Sequence, residues 1–118
     1  MQDDQFYDEF SARWIAAWNS HDIERILSFY AEDFEFTSPF LAKFMPATGG
    51  KLKGRKAVGE YWSKALAARP ELKFEPVAVL KGLHSVVIHY KGLNSELKAE
   101  YFLFDAHGKV IESHAHEA

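Results

Sequence analysis

Apolar residues recur every three or four positions through the first part of the chain, the pattern of helices with one buried face. An aromatic stripe with a four-residue spacing predicts a helix over residues 4–19, and its members are Phe6, Phe10, Trp14 and Trp18. Asp22 is a suitable N-cap for a short second helix that carries Tyr30 on its apolar face. Apolar positions between residues 57 and 66 predict a third helix, which Pro70 ends.

The second half of the chain alternates apolar and polar residues with a period of two. Four predicted strands lie in KFEPVAVLKG, HSVVIHYKG, ELKAEYFLFD and KVIESHAHE. An earlier short strand is predicted over residues 34–38, and the segment PFLAKFMPATGGKLKG after it is predicted to be irregular. Because helices come first and strands follow, the pattern predicts one α+β domain over residues 1–118, with helices covering one face of an antiparallel sheet.

Two of the predicted strands are apolar on both faces. In HSVVIHY, Val86, Ile88 and Tyr90 point to one side and Val87 to the other. One face packs under the helices, so the other face is expected to meet a partner. A second copy of the chain is the simplest partner, and the sequence therefore predicts a homodimer formed through the sheet.

Composition and charge narrow the class of protein. The net charge is -3 and no basic stripe is present, which argues against nucleic acid as a partner. The chain has no cysteine, which excludes disulfides and thiolate chemistry. The start, MQDDQFYDEF, lacks the apolar region of a signal peptide, and no apolar run reaches membrane-spanning length, so we expect a cytoplasmic protein without a membrane partner.

The order FSARWIAAWNSHDIERILSFYAEDFEFTSPF, GKLKGRKAVGEYW and FDAHGKVIE resembles the nuclear transport factor 2-like superfamily and, within it, the SnoaL-like proteins. The resemblance covers nearly the whole chain. It implies three helices in the N-terminal half, packed on a curved antiparallel or mixed sheet to form a cone with a ligand cavity. It also implies that no cofactor or metal is needed and that dimers form through the sheet. The fold hosts isomerases, cyclases, hydrolases and binding proteins, so it does not select a reaction.

Ketosteroid isomerases of this superfamily can be compared residue by residue. Their general-base aspartate falls at Ser38, their oxyanion-hole tyrosine at Trp14, their second donor at Glu100, and a pocket tyrosine at Trp62. A serine cannot remove a proton from carbon without a base of its own. The resemblance therefore does not extend to steroid isomerase chemistry.

Three residues are candidates for acid–base catalysis. Counting back from a tight turn at Leu93-Asn94 puts Glu100 opposite Val87, on a face shared with His89 and Phe102. Burial on that face would raise the pKa of the carboxyl, and His89 is the best-placed partner base; a solvated Glu100 is the alternative. Ser38 follows Phe34 and Phe36 at the next inward position, where it would supply a neutral hydrogen bond to a ligand.

Large rings converge inside the predicted cone and suit a flat apolar or aromatic molecule, although ordinary core packing is the alternative. The predicted ligand-binding residues are Trp14, Trp18, Tyr30, Phe36, Phe40, Trp62, Phe102 and Ser113. The segment from Leu41 to Lys53 is predicted to be a lid over the cavity mouth or a plain surface loop.

The last strand directs either Ser113 and Ala115 or His114 and His116 inward, and the resemblance favours Ser113. The two histidines with Glu100 form the only set of metal ligands that the sequence suggests, and we predict that no metal is bound.

The leading hypothesis is a cofactor-free, homodimeric protein that binds a small apolar or aromatic molecule. An acid–base isomerase, cyclase or hydrolase is the first alternative. A non-catalytic dimeric interaction module is the second.

Overall fold

A computed structural model describes residues 2–118. Its helices are Asp4–Ser20 (α1), Ile23–Leu27 (α2), Pro39–Phe44 (α3) and Arg55–Ala68 (α4). Its strands are Tyr30–Thr37 (β1), Lys51–Lys53 (β2), Glu75–Lys81 (β3), Ser85–Lys91 (β4), Leu97–Phe104 (β5) and Val110–Glu117 (β6). Short 3₁₀ turns lie at Pro46–Thr48 and Leu93–Ser95. None of the helices in residues 2–118 has the length and apolarity needed to cross a membrane.

The six strands form one curved mixed sheet in the order β2-β1-β6-β5-β4-β3. β1 runs parallel to β6, and the remaining neighbours are antiparallel. The helices cover one face of the sheet, which confirms the predicted α+β cone. The pairing of β1 with β6 joins the N-terminal half of the chain to its C-terminal strand and brings Phe36 beside Ser113.

The helix starts follow from local capping. Asp3 accepts a hydrogen bond from the backbone N–H of Phe6 at the start of α1, and Asp22 accepts two from the first turn of α2, as its sequence position predicts. Tyr30, which was predicted to lie on the second helix, instead begins β1 because α2 ends at Leu27. β1 is therefore longer than the predicted strand.

The segment predicted to be irregular contains a fourth helix and an extra strand. Ser38 caps α3 by accepting from the Phe40 N–H at 3.2 Å, and Pro39 follows at the first helical position. Gly49 and Gly50 have φ of 67° and 82°, and this left-handed pair turns the chain back into β2. The segment is not irregular throughout, because Pro39 and Pro46 each start a short helical turn.

Aromatic rings fill the space between α1, α4 and the sheet. Trp14 lies 5.1 Å from Phe102, and Trp18 lies 5.1 Å from Trp62, both as ring-centroid distances in edge-to-face geometry. Tyr30 and Phe34 stack at 4.4 Å. All six rings are buried, so the interior of the cone beneath the helices is a packed aromatic core.

Candidate functional site

Glu100 lies on the inner face of β5 and is 5% exposed. The Ser113 hydroxyl donates to its Oε2 at 2.6 Å, and the Tyr90 hydroxyl donates to its Oε1 at a long 3.5 Å. Burial is the main cause that raises the pKa of Glu100 to about 7, because an ionised carboxylate loses its hydration there. Near neutral pH this carboxyl is therefore present in both protonation states.

Charged neighbours at the open end of the sheet modify that pKa. The Glu117 carboxylate raises the pKa of Glu100 further, whereas the Lys98 ammonium and the hydrogen bonds from Ser113 and Tyr90 lower it. Lys98 itself donates to Glu117 at 2.5 Å and lies 5.0 Å above the Phe40 ring. Lys98, Glu100 and Phe102 alternate inward along β5, so the polar groups run from the rim of the cone towards its core.

A second polar contact lies deeper in the core. The Trp14 indole N–H donates to the Tyr30 hydroxyl at 2.9 Å. Burial raises the pKa of Tyr30 well above its usual value, with a further rise from the charge of Glu100, so the phenol stays protonated. The indole N–H of Trp18 is buried and has no hydrogen-bond partner within residues 2–118.

His89 lies on the opposite face of the sheet from Glu100, which corrects the predicted pair. Glu100 is opposite Ile88, and His89 is opposite Ala99. The prediction assumed a two-residue turn, but the chain makes a 3₁₀ turn over Leu93–Ser95 and the register moves by one residue. Such a shift exchanges the two faces, so His89 cannot act with Glu100 as a base in the cone.

Ser38 also differs from its predicted role. It is buried, but its hydroxyl accepts from the Phe40 N–H, and the residue borders a groove on the outer face of the sheet. Glu100 does not line that groove. Ser38 and Glu100 therefore do not form the predicted polar pair, because the chain turns into α3 directly after β1.

The last strand presents Ser113 inward and His114 outward, the orientation that the resemblance favoured. The ring of His114 is hydrogen-bonded to the Thr37 hydroxyl at 2.6 Å through Nδ1 and to Glu112 at 3.1 Å through Nε2. The sheet thus separates His114 and His116 from Glu100. Residues 2–118 hold no group of three histidine, aspartate or glutamate side chains arranged to bind a metal ion.

A cavity of about 640 Å³ opens at the rim of the cone between α3, α4 and the β4–β5 turn. Its apolar wall includes Phe40, Phe44, Met45, Tyr61, Leu72 and Leu93. Four small or cationic residues also line it: Lys64, Ala65 and Ala68 from α4, and Arg69 directly after the helix. The side chain of Lys98 closes the side nearest the sheet.

Of the eight predicted ligand-binding residues, Phe40 alone lines this cavity. The other seven are buried around the aromatic core, which corrects the prediction that they form the cavity wall. The reason is that the six aromatic rings among them interlock and occupy the space that the prediction assigned to a ligand, while the Ser113 hydroxyl donates to Glu100. Residues of the predicted lid, Phe44 and Met45, do line the cavity mouth.

Sequence reasoning missed most of the wall. Tyr61, Lys64, Ala65 and Ala68 have helical spacing and share one side of α4, which is the signal that could have identified them. Lys98 precedes Glu100 by two residues and so shares its face of β5. Leu72 and Leu93 carry no comparable signal, because loop geometry alone brings them to the cavity.

The chain was compared with protein-family models, with solved structures and with curated proteins. A family model described as SnoaL-like domain matches residues 11–115. A SnoaL-like protein of unknown function from Burkholderia thailandensis E264 is 42% identical, with a TM-score of 0.95 and with 98% of this chain and 97% of that chain covered. No curated protein matches the sequence.

Two more distant structures share the fold. SalBIII, an epoxide hydrolase/cyclase-like enzyme of pyran ring formation in the polyether salinomycin, is 21% identical, with a TM-score of 0.79 and coverage of 100% and 95%. TerC, co-crystallised with polyporic acid, is 17% identical, with a TM-score of 0.76 and coverage of 96% and 92%. The family model spans nearly the whole chain, and the fold agrees with it. The chain therefore belongs to the SnoaL-like domain family.

Proposed function

We propose that the protein binds a small apolar or aromatic molecule in the cavity at the rim of the cone. The observation that carries the proposal is a concave site walled by exposed apolar side chains. Phe44 is 62% exposed and Met45 is 42% exposed, and both face a cavity of about 640 Å³. Cavities of roughly 300–1,000 Å³ with apolar walls are typical of small-molecule sites. A ligand would cover apolar surface that water now contacts.

Filling the cavity from its own wall tests this proposal. Ala68 is exposed and lines the cavity, whereas Ala67 is exposed and does not, so Ala68→Trp and Ala67→Trp are matched variants of one helix end. The neutral fluorescent probe N-phenyl-1-naphthylamine should bind the wild type and Ala67→Trp alike. Ala68→Trp should weaken binding about tenfold or more, because the indole occupies the ligand's volume. Equal binding by both variants would reject the cavity as the site.

An acid–base enzyme is the second candidate function, and the buried Glu100 carboxyl favours it. Its raised pKa suits proton transfer near neutrality, and Ser113 and Tyr90 orient it. Lys98 lines the cavity and lies two residues before Glu100 on the same face, so the carboxyl is about 7 Å farther along the strand. Glu100 does not itself line the cavity, so a substrate would have to displace the Lys98 side chain to reach the carboxyl.

The base-catalysed ring opening of 5-nitrobenzisoxazole detects a carboxylate base in an apolar site. The base removes the carbon-bound proton while the N–O bond breaks, giving a nitrile and a phenolate. If Glu100 is the catalytic base, Glu100→Gln should catalyse this ring opening about a hundredfold or more slowly than the wild type. If the wild type and Glu100→Gln show the same rate, Glu100 is not a base for molecules in the cavity and the binding function stands alone.

A further inference from the structure

The charged side chains that line the rim cavity all carry the same sign. They are Lys64, Arg69 and Lys98, and no aspartate or glutamate is part of the wall. The chain as a whole has seventeen acidic and fourteen basic residues, so a wall without an acid departs from the composition of the molecule. A cavity lined by one sign of charge attracts ligands of the opposite sign.

Lys98 does not supply available positive charge to the cavity wall, because two carboxylates already compensate its ammonium group. Its ammonium is bonded to Glu117 and lies 3.8 Å from Glu96. Its side chain is 11% exposed. Lys98 therefore contributes mainly its aliphatic stem and its contact with the Phe40 ring to the cavity.

Lys64 and Arg69 remain without such compensation. Neither side chain has a carboxylate within ion-pairing distance among residues 2–118. Both are exposed, Lys64 in the C-terminal half of α4 and Arg69 directly after its last residue, beside the apolar wall formed by Tyr61 and Leu72. The cavity thus offers an apolar surface next to two available cations.

We propose that the ligand of the rim cavity is an amphipathic organic anion, with an apolar or aromatic body against Phe40, Phe44 and Tyr61 and a negative group at Lys64 and Arg69. This inference rests on the proposed binding function and adds the charge of the ligand to it. Arg69 presents a planar fork that matches a carboxylate or another oxyanion, and Lys64 adds a second charge.

A pair of probes that differ in one group tests the inference. The probe 8-anilinonaphthalene-1-sulfonate has the aromatic skeleton of N-phenyl-1-naphthylamine and carries a sulfonate in addition. The double variant Lys64→Gln/Arg69→Gln removes both cations from the wall. The control Lys56→Gln/Arg25→Gln removes the same net charge from exposed residues outside the cavity. Fluorescence titrations give the dissociation constant of each probe for each protein.

The inference predicts that the wall variant binds the sulfonate probe about three- to tenfold more weakly than the wild type, since two exposed ion pairs are lost. The neutral probe should change less than about twofold, and the control variant should bind both probes like the wild type. Added salt should weaken only the sulfonate probe. In Ala68→Trp both probes should bind more weakly, which places them in the cavity.

Other results overturn the inference. If the wall variant binds both probes more weakly by the same factor, or binds both like the wild type, the cations do not select an anion. The same conclusion follows if the sulfonate probe binds Ala68→Trp and the wild type with equal affinity. A third result separates the two proposals. If Ala68→Trp binds the neutral probe more weakly than the wild type does, and the sulfonate probe binds neither protein, the proposed function stands and the proposal of an anionic ligand is wrong. If neither probe binds the wild type, both the proposed function and this inference fail.

Discussion

Among single residues, Glu100 is the one acidic or basic side chain in residues 2–118 that is buried. A buried acid whose folded pKa is raised binds its proton more tightly in the native state than in the unfolded state. As pH rises from about 4.5 to about 7, the unfolded chain releases this proton first, so this acid makes stability fall with pH. The loss is complete above the folded pKa.

We therefore predict that the wild type loses about 2–3 kcal/mol more stability than Glu100→Gln when the pH is raised from about 5 to about 8. Gln keeps the shape of the side chain and one acceptor oxygen but does not titrate. Urea unfolding at the two pH values measures the difference. Glu71→Gln, an exposed control, should change with pH like the wild type. If Glu100→Gln follows the same pH profile as the wild type, the carboxyl is not desolvated.

The residue scale also shows what the sequence could and could not predict. Glu100 and His89 were both placed by counting back from a turn, and the resemblance independently supported an inward Glu100 but not an inward His89. The 3₁₀ turn adds one residue between the strands and shifts their register by one. Because side chains alternate between the two faces of a strand, this shift places His89 on the face opposite to the predicted one. Turn length depends on backbone conformations such as the positive φ of 58° at Asn94, which the local sequence specifies weakly.

At the scale of elements, α1, α4 and the four C-terminal strands were predictable because each has a strong period. The region from Ser38 to Lys53 was not, because α3 and β2 are short and supply little pattern. Their positions come from a cap, two helix-starting prolines and a glycine pair. This same region provides Phe40, Phe44 and Met45 to the cavity wall. The part of the chain that the sequence predicts least well therefore supplies part of the proposed site.

If Ser38 acts as the N-cap of α3, Ser38→Ala should lower the free energy of unfolding by about 1 kcal/mol, because the Phe40 N–H loses its acceptor. Urea unfolding provides the measurement. Ser63→Ala, at an exposed position inside α4, is the matched control and should change stability by less than about 0.5 kcal/mol. Equal stability of wild type and Ser38→Ala would show that the cap contributes nothing.

For the whole molecule, the outer face of the sheet is the surface on which we propose that a second copy of the chain binds. A groove of about 810 Å³ lies there, bordered by Val87, Ala99, Tyr101 and His114. The apolar outward positions motivated the proposal of a homodimer through the sheet. The sequence left both a ligand cavity and ordinary core packing open for the aromatic interior, because it specifies ring size and phase but not how closely the rings interlock. The structure shows interlocked rings.

The homodimer proposal predicts a particle with the mass of two chains in light scattering at micromolar concentration. Val87→Arg places a charge in the middle of the outer face and should shift the particle towards the mass of one chain. Ser63→Arg, on the exposed side of α4, should leave the dimer intact. A wild-type protein with the mass of one chain would remove the sheet as a dimer interface.

The central claim, that the rim cavity holds a small apolar molecule, is tested most directly at Met45. The chain has two methionines, so methyl-¹³C methionine labelling gives two signals, and Met45→Leu identifies the one from the cavity wall. Titration with N-phenyl-1-naphthylamine should shift the Met45 methyl signal with the dissociation constant seen by fluorescence, because the aromatic ring of the probe lies against Met45. A Met45 signal that does not move while the probe binds would show that the rim cavity is not the binding site.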